Sequence, residues 1–166
     1  MTHRHGRASA GIARGFIRRD LRGLLRDHSG AQAVEFALIA PLLLVLIMGI
    51  IQFSITLNNY IELTEAVRTG ARNLAISRAM ASATPYTTTV ADIGSSAGNL
   101  TSTNITVTLA VNGTTCASDG ACSTALSTAA GETATVSASY PCNLTVLGFN
   151  FLPSCSLQSQ TADLVE

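Results

Sequence analysis

The chain has 166 residues with ten basic and ten acidic side chains, so its formal net charge is zero. That length leaves room for one domain of ordinary size. Seven arginines and two aspartates precede Gly30, a net charge of +5, whereas three arginines and eight acidic residues follow it, a net charge of −5. A basic block can bind nucleic acid, but an apolar run follows this one directly, which favours a membrane segment and excludes nucleic acid as the expected partner.

The apolar run extends from Phe36 to Leu57 and contains no charged residue. Its 22 residues would form a helix roughly 33 Å long, enough to cross the hydrocarbon core of a bilayer. With the arginines in the cytoplasm, the residues after about Asn58 are predicted to lie outside it. A secretory signal fits less well, because the run is longer than an ordinary h-region and leads into a polar helical pattern.

A short motif marks the junction between the basic leader and the apolar run. Gly30 is followed by AQAVEF, which places Glu35 fifth after the glycine and Phe36 beside it. This pattern resembles the processing site of type IV prepilins. More narrowly, GAQAVEFALIAPLLLVLIMGIIQF followed by ELTEAVRTGARNLA resembles the TadE-like pseudopilins of the tight-adherence (Flp) pilus system. The major pilins of that system end soon after the apolar helix and often carry tyrosine in place of Phe36, so the longer chain resembles a minor pseudopilin.

The resemblance implies a processing step and a set of partners. It implies cleavage after Gly30 by a prepilin peptidase, which makes Ala31 the new N-terminus. Glu35 and Phe36 are then the expected assembly contact, with the carboxylate meeting a new α-amino group of its own or a neighbouring subunit. The implied partners are the peptidase, other pilins and pseudopilins, the pilus assembly platform in the inner membrane, and membrane lipid.

Two interpretations of Glu35 remain open at this point. In the first, the carboxylate is the assembly contact. In the second, the carboxylate lies in the headgroup layer and stabilises the N-terminus of the helix through the helix dipole. The chain would then be a permanently anchored extracytoplasmic binding module that keeps its leader. Both interpretations place a single-pass protein in the bacterial inner membrane, with the N-terminus cytoplasmic and the C-terminal domain periplasmic.

The helix is predicted to continue beyond the membrane, because apolar residues recur at spacings of three and four. This stripe comprises Tyr60, Leu63, Val67, Gly70 or Ala71, and Leu74. We expect the stripe to pack on the protein's own sheet. The domain boundaries are therefore a leader at 1–30, a transmembrane and extended helix at 31–80, a connection at 81–103 and a small β-rich domain at 104–166.

The connection is rich in Ser, Thr, Ala and Gly, with a proline near its start, and is predicted to be a loop or a weakly structured segment. Alternation of apolar and polar residues predicts strands at 105–111 and 134–140, and a third strand is expected at 144–151. The tail at 156–166 either adds a last strand or remains mobile. The fold class is therefore α+β, with a long N-terminal helix and a short antiparallel sheet.

Four cysteines permit three disulfide pairings. We prefer Cys116 with Cys122, which closes the turn-like CASDGAC, and Cys142 with Cys155, which ties the third strand to the tail. A zinc site is the competing interpretation, but the chain has no CxxC and no histidine after Gly30. No metal or cofactor is therefore expected.

The residues after Gly30 also lack a pattern typical of an enzyme. They include no histidine or lysine, their carboxylates are scattered, and no glycine-rich loop could cradle a phosphate. The sequence therefore predicts a protein without catalytic residues, itself the substrate of a peptidase.

Overall fold

The computed structural model describes residues 28–80 and 83–166. The chain divides into two compact units, residues 1–47 and residues 48–166. The leader predicted at 1–30 lies outside the described residues except for its last three. In the first unit the described residues all belong to one helix, which continues into the second unit.

Helix α1 comprises His28–Ser77 and runs without interruption through Pro41. Among the described residues it is the one helix long and apolar enough to cross a membrane, with a mean hydropathy of 2.7 in its most apolar window and none of that window buried. Its exposed apolar surface is what distinguishes α1 from the core helix of a soluble protein, where the apolar stripe faces the protein interior.

The predicted stripe packs inside the second unit as expected, apart from its first residue. Leu63, Val67, Ala71 and Leu74 are fully buried, whereas Tyr60 is exposed. The fully buried part of the stripe therefore begins at Leu63, one turn later than the periodicity indicates.

The prediction of a loop or a weakly structured connection at 81–103 is wrong over Pro85–Ser96. Helix α2 occupies Pro85–Ser96 and a single 3₁₀ turn follows at Ser102–Asn104. Pro85 lies at the first helical position, where its missing N–H has no intrahelical partner to lose. Pro85, Thr89 and Ile93 are four residues apart and are all buried, so this face of α2 packs on the core.

One four-stranded antiparallel sheet forms in the order β2-β1-β3-β6. Its strands are β1 (Thr106–Val111), β2 (Thr114–Cys116), β3 (Thr133–Pro141) and β6 (Ser156–Leu164). The two predicted strands are thus confirmed as β1 and β3, and the tail, left open by the sequence, adds the edge strand β6. The short helix α3, Asp119–Ser127, connects β2 to β3.

The prediction of a single strand at 144–151 is wrong, because the segment forms a hairpin of two short strands. Strands β4 (Thr145–Val146) and β5 (Phe149–Asn150) make a separate two-stranded hairpin. The turn between them is Leu147-Gly148, and both residues have positive φ, 51° and 83°. Such a turn matches the twist of a tight hairpin but is usually built from Asn, Asp or Gly.

A single core cluster joins α1, α2, α3 and the inner face of the sheet. From the sheet it includes Leu109, Val111, Ala134 and Val136, the inward members of the alternating pattern. The fold is therefore α+β, a long N-terminal helix followed by a small domain with a short antiparallel sheet, as the sequence predicts.

Candidate processing and assembly site

The predicted cleavage site lies in the first turn of α1. Gly30 and Ala31 are exposed, and a side chain added at Gly30 would meet no atom within 4 Å. A peptidase would need this turn in an unwound form. Unwinding here is inexpensive, because the terminal turns of helices fray readily.

The predicted assembly residues follow on the same exposed helix. Glu35 lies one turn beyond Ala31, about 6 Å along the axis, so the two residues share a face. Among the described residues Glu35 has no hydrogen-bond or ion-pair partner. Phe36 leaves 71% of its surface exposed. The structure thus brings Ala31, Glu35 and Phe36 onto one short stretch of surface.

The position of Glu35 weakens its interpretation as a helix-dipole residue. Since α1 already includes His28, Glu35 lies about two turns inside the helix of the intact chain. The favourable effect of the dipole on a carboxylate is concentrated in the first turn. Removal of the residues up to Gly30 would bring Glu35 much closer to a helix terminus.

The comparison with known protein families bears directly on this segment. The family model of the TadE-like proteins matches residues 30–72. This segment is TadE-like. The match confirms the resemblance drawn from the sequence and is consistent with a TadE-like protein of the tight-adherence pilus system, which suggests association with other pilus components. No match was found among curated proteins or among solved structures.

The far end of the TadE-like segment packs closely against α2. A side chain at Gly70 would lie 2.5 Å from Cγ1 and 2.7 Å from Cδ1 of the fully buried Ile93. Beyond the segment's last residue, the Asn73 side chain donates a 2.8 Å hydrogen bond to the Asp92 carboxylate on α2. The glycine lets the two helices approach, and the polar pair fixes their relative rotation.

A second polar contact joins the TadE-like segment to the loop after α2. The Glu62 carboxylate accepts hydrogen bonds from the Asn99 amide side chain at 2.8 Å and from the Asn99 backbone N–H at 2.9 Å, and Asn58 donates to it within the helix. These hydrogen bonds lower the pKa of Glu62, and the bond from the Asn99 side chain has the largest effect. Gly98 has a φ of 54° at this point, and a side chain there would lie 3.2 Å from the carboxylate.

Asp119 caps α2 from a distant part of the chain. Its carboxylate accepts hydrogen bonds from the Thr87 hydroxyl at 2.6 Å and the Thr87 backbone N–H at 2.8 Å. Both hydrogen bonds from Thr87 lower the pKa of Asp119, and the bond from its side chain has the larger effect. A carboxylate in this position satisfies donors that the first turn of a helix leaves unpaired.

The cysteines form two disulfides, Cys116–Cys122 and Cys142–Cys155, each with Cα atoms 5.1 Å apart. These are the pairings preferred from the sequence. The first closes the loop that carries Asp119, and the second closes residues 142–155, which include the β4–β5 hairpin. Within residues 28–80 and 83–166, no three His, Cys, Asp or Glu side chains are grouped so that they could hold a metal ion.

The residues that fix α2 to the rest of the second unit lie far apart in the sequence. Glu62 and Asn99 are 37 positions apart and Thr87 and Asp119 are 32 apart, so no local pattern relates them. Two local signals were available, Pro85 at a helix start and Gly98 just after a helix end, and together they are typical of a helix bounded by these residues.

Proposed function

We propose that the protein is a minor pseudopilin, processed after Gly30 by a prepilin peptidase and taking part in assembly of a tight-adherence pilus or a related secretion apparatus. The observation that carries the proposal is the placement of Gly30 and Glu35 at the exposed start of α1, inside the TadE-like match. The protein acts through contacts between subunits, without catalytic residues, cofactor or metal.

The processing step would supply a positively charged partner for the Glu35 carboxylate. A carboxylate next to an apolar helix is costly in a membrane, by about 2.5–3.5 kcal/mol at the bilayer centre and less near its edge. Cleavage creates an α-amino group at Ala31, one helical turn away. This amine, or that of a neighbouring subunit, pairs with Glu35 as the helices pack. Because the pair is largely desolvated there, removal of one partner harms assembly more than removal of both.

The proposed location follows from the charges on either side of the span. The arginine-rich leader stays in the cytoplasm, the span lies in the bacterial inner membrane, and the residues after about Asn58 lie in the periplasm. In this location the protein meets the prepilin peptidase, the pilus assembly platform, other pilins and membrane lipid. Nucleic acid is not a partner in this proposal.

Sequencing the N-terminus of the mature protein tests processing directly. In cells that contain the prepilin peptidase, the expected first residue is Ala31. Gly30→Ala should leave a precursor of full length. Gly49→Ala is the matched control, because a side chain at Gly49 likewise meets no atom within 4 Å, and this variant should be processed normally. An intact leader on the wild-type protein in such cells would reject the proposal.

Co-purification with the pilus tests the role of Glu35 separately. We expect Glu35→Ala to be cleaved normally but to be lost from the pilus fraction, because its carboxylate contributes to assembly and not to the peptidase site. Equal recovery of wild-type and Glu35→Ala protein with the pilus would remove Glu35 from the assembly contact while leaving the cleavage site unaffected.

A permanently anchored binding module is the second candidate. It is favoured by the outer face of the sheet, where β1, β3 and β6 present an uncharged row of hydroxyl and amide side chains that lines a shallow depression of about 280 Å³. Thr108, Ser137 and Gln160 lie side by side in this row. Under this alternative, Gly30→Ala changes neither the size of the protein nor its phenotype.

A further inference from the structure

The loop closed by Cys142–Cys155 carries an unusual amount of exposed apolar surface. We call residues 142–155 the apolar loop. Six large apolar side chains after residue 79 are exposed in the described chain, and four of them lie in this loop: Leu147, Phe149, Phe151 and Leu152. Phe149 leaves 74% of its surface exposed. An exposed apolar group of this kind in an otherwise polar domain is typical of a contact surface.

The chemistry of the apolar loop suits a medium without water. It contains no charged residue, and neither does the rest of the segment between Glu132 and Asp163. Several of its backbone N–H groups bond within the loop: Cys142 to the Cys155 carbonyl, Phe151 to the Leu144 carbonyl, and Leu152 to the Asn150 side chain. Strands β4 and β5 pair in the same region. These internal bonds reduce the number of backbone polar groups that contact with lipid would leave unpaired.

The turn of the hairpin adds an independent observation. Leu147 is exposed and has a φ of 51°, a conformation that a bulky side chain adopts at a cost and that Asn or Gly adopts easily. Leu147 leaves 60% of its surface exposed, so packing within the unit accounts for only part of this apolar side chain. A contact outside the unit would account for the exposed part.

The loop lies beside the part of α1 that is predicted to be in the membrane. Thr145, Val146 and Leu147 line a cavity of about 180 Å³ together with Met48, Ile51 and Gln52 of α1. Ile51 is six residues before the end of the apolar run at Leu57, about 9 Å along the helix axis. The apolar loop therefore lies beside the outer half of the span and continues its exposed apolar surface.

We propose that the apolar loop inserts into the outer leaflet of the bilayer that α1 crosses, as a second membrane contact. The occupant of its apolar surface is lipid, at the boundary between headgroups and acyl chains. This inference requires that α1 spans a membrane, but it is independent of leader cleavage and of pilus assembly. Its consequence is that the second unit is held against the membrane surface at two points, the helix and the loop.

Tryptophan scanning of the full chain in nanodiscs tests the proposal, because the native chain has no tryptophan. Phe149→Trp is the reporter, Phe53→Trp within the span is the positive control, and Leu164→Trp is the aqueous control, since Leu164 is similarly exposed at 60% but lies outside the loop. We expect Phe149→Trp to emit at shorter wavelength than Leu164→Trp, to be quenched by lipids brominated near the headgroup, and to resist iodide. Leu152→Trp is the second reporter if Phe149→Trp does not fold.

Each other outcome rejects the proposal for a distinct reason. Equal iodide quenching of Phe149→Trp and Leu164→Trp would show that the loop lies in water. Protection of Phe149→Trp only after other pilus subunits are added would show that its partner is a neighbouring protein. An absence of lipid quenching at Phe53→Trp would show that α1 itself is outside the bilayer. N-terminal sequencing remains a separate test of processing in all three cases.

Discussion

Gly70 lies where α1 packs directly against Ile93 of α2. A methyl group there would press on the buried Ile93 at 2.5 Å and 2.7 Å, which is too close for any real contact, so either the side chain or the helix must shift. Overpacking usually costs about 1–3 kcal/mol, and the better helix propensity of alanine returns about 1 kcal/mol. We therefore expect Gly70→Ala to lower the free energy of unfolding by up to about 2 kcal/mol.

Denaturant unfolding of the full chain in detergent, followed by tyrosine fluorescence, measures this change. Tyr86 and Tyr140 pack against the core, and no tryptophan masks their signal. Gly120→Ala in α3 is the control, because a side chain at Gly120 meets no atom within 4 Å. Equal stability of the two variants would show that α1 and α2 separate easily at Gly70.

Glu62 makes the stability of the second unit depend on pH. Its bonds with Asn99 lower its pKa in the folded state, so they stabilise the fold above the unfolded pKa, and this contribution is lost as the pH falls through the lowered folded pKa. We expect Glu62→Gln to be less stable than the wild type at neutral pH and the difference to shrink on acidification.

Unfolding curves measured at a series of acidic pH values test this expectation. Glu65→Gln is the matched control, three residues further on the same helix. Glu65 is solvent-exposed and pairs only with Arg68 among the described side chains, and exposed ion pairs contribute little to stability. A Glu62→Gln difference that stays constant with pH would mean that the carboxylate charge does not stabilise the contact with Asn99.

At the scale of elements, the two disulfides differ in what they support. The entropy model gives each loop closure roughly 2–3 kcal/mol, and the loop that is twice as long gains only about 0.6 kcal/mol more. Cys116 and Cys122, however, both lie in the main core cluster, and their loop carries the Asp119 that caps α2. We therefore expect Cys116→Ser with Cys122→Ser to destabilise more than Cys142→Ser with Cys155→Ser.

Thermal unfolding of the two double variants, with hydrogen exchange of α2, measures this difference. Loss of the first disulfide should speed exchange at the Thr87 amide, because Asp119 accepts its hydrogen bond. Loss of the second should affect the apolar loop and leave α2 protected. Greater destabilisation by the second pair would show that loop length outweighs burial.

The sequence predicts the strands whose apolar and polar residues alternate regularly. β1 and β3 follow from alternation because each has one face in the core and one in solvent. α2 was missed because its PYTTTVADIGSS is rich in threonine, serine and glycine, which are poor helix formers. It is stabilised instead by partners that only the fold supplies, Gly70 beneath it and Asp119 at its start.

The hairpins show the same division between local and distant causes. Asn112-Gly113, with φ of 48° and 74°, is a strong signal for a tight turn between strands, and it marks the β1–β2 connection. Leu147-Gly148 carries no such signal, so one strand was predicted where two short ones occur. The pairing proposed for Glu35 likewise depends on groups that no local pattern shows, the new α-amino group at Ala31 or that of a neighbouring subunit.

At the scale of the whole molecule, the uneven charge determines the expected orientation. Seven of the ten arginines precede Gly30, and basic residues are retained on the cytoplasmic side during insertion. We expect protease added to spheroplasts to digest the residues after about Asn58 while the span remains in the membrane fraction. Replacement of the leader arginines by glutamine should reduce this digestion, because the orientation is then less strongly determined, and full protection of the wild type would indicate the opposite orientation.

The sheet order also determines when the second unit can fold. β3 pairs with β1, which precedes it, and along nine residues with β6, which is synthesised last among the strands. The buried stripe of α1 emerges much earlier, and its contacts with the sheet join distant parts of the chain, which slows folding. If the second unit crosses the membrane as proposed, completion of the sheet must wait for β6 to cross. Until then, the apolar stripe of α1 is exposed and can be bound by chaperones.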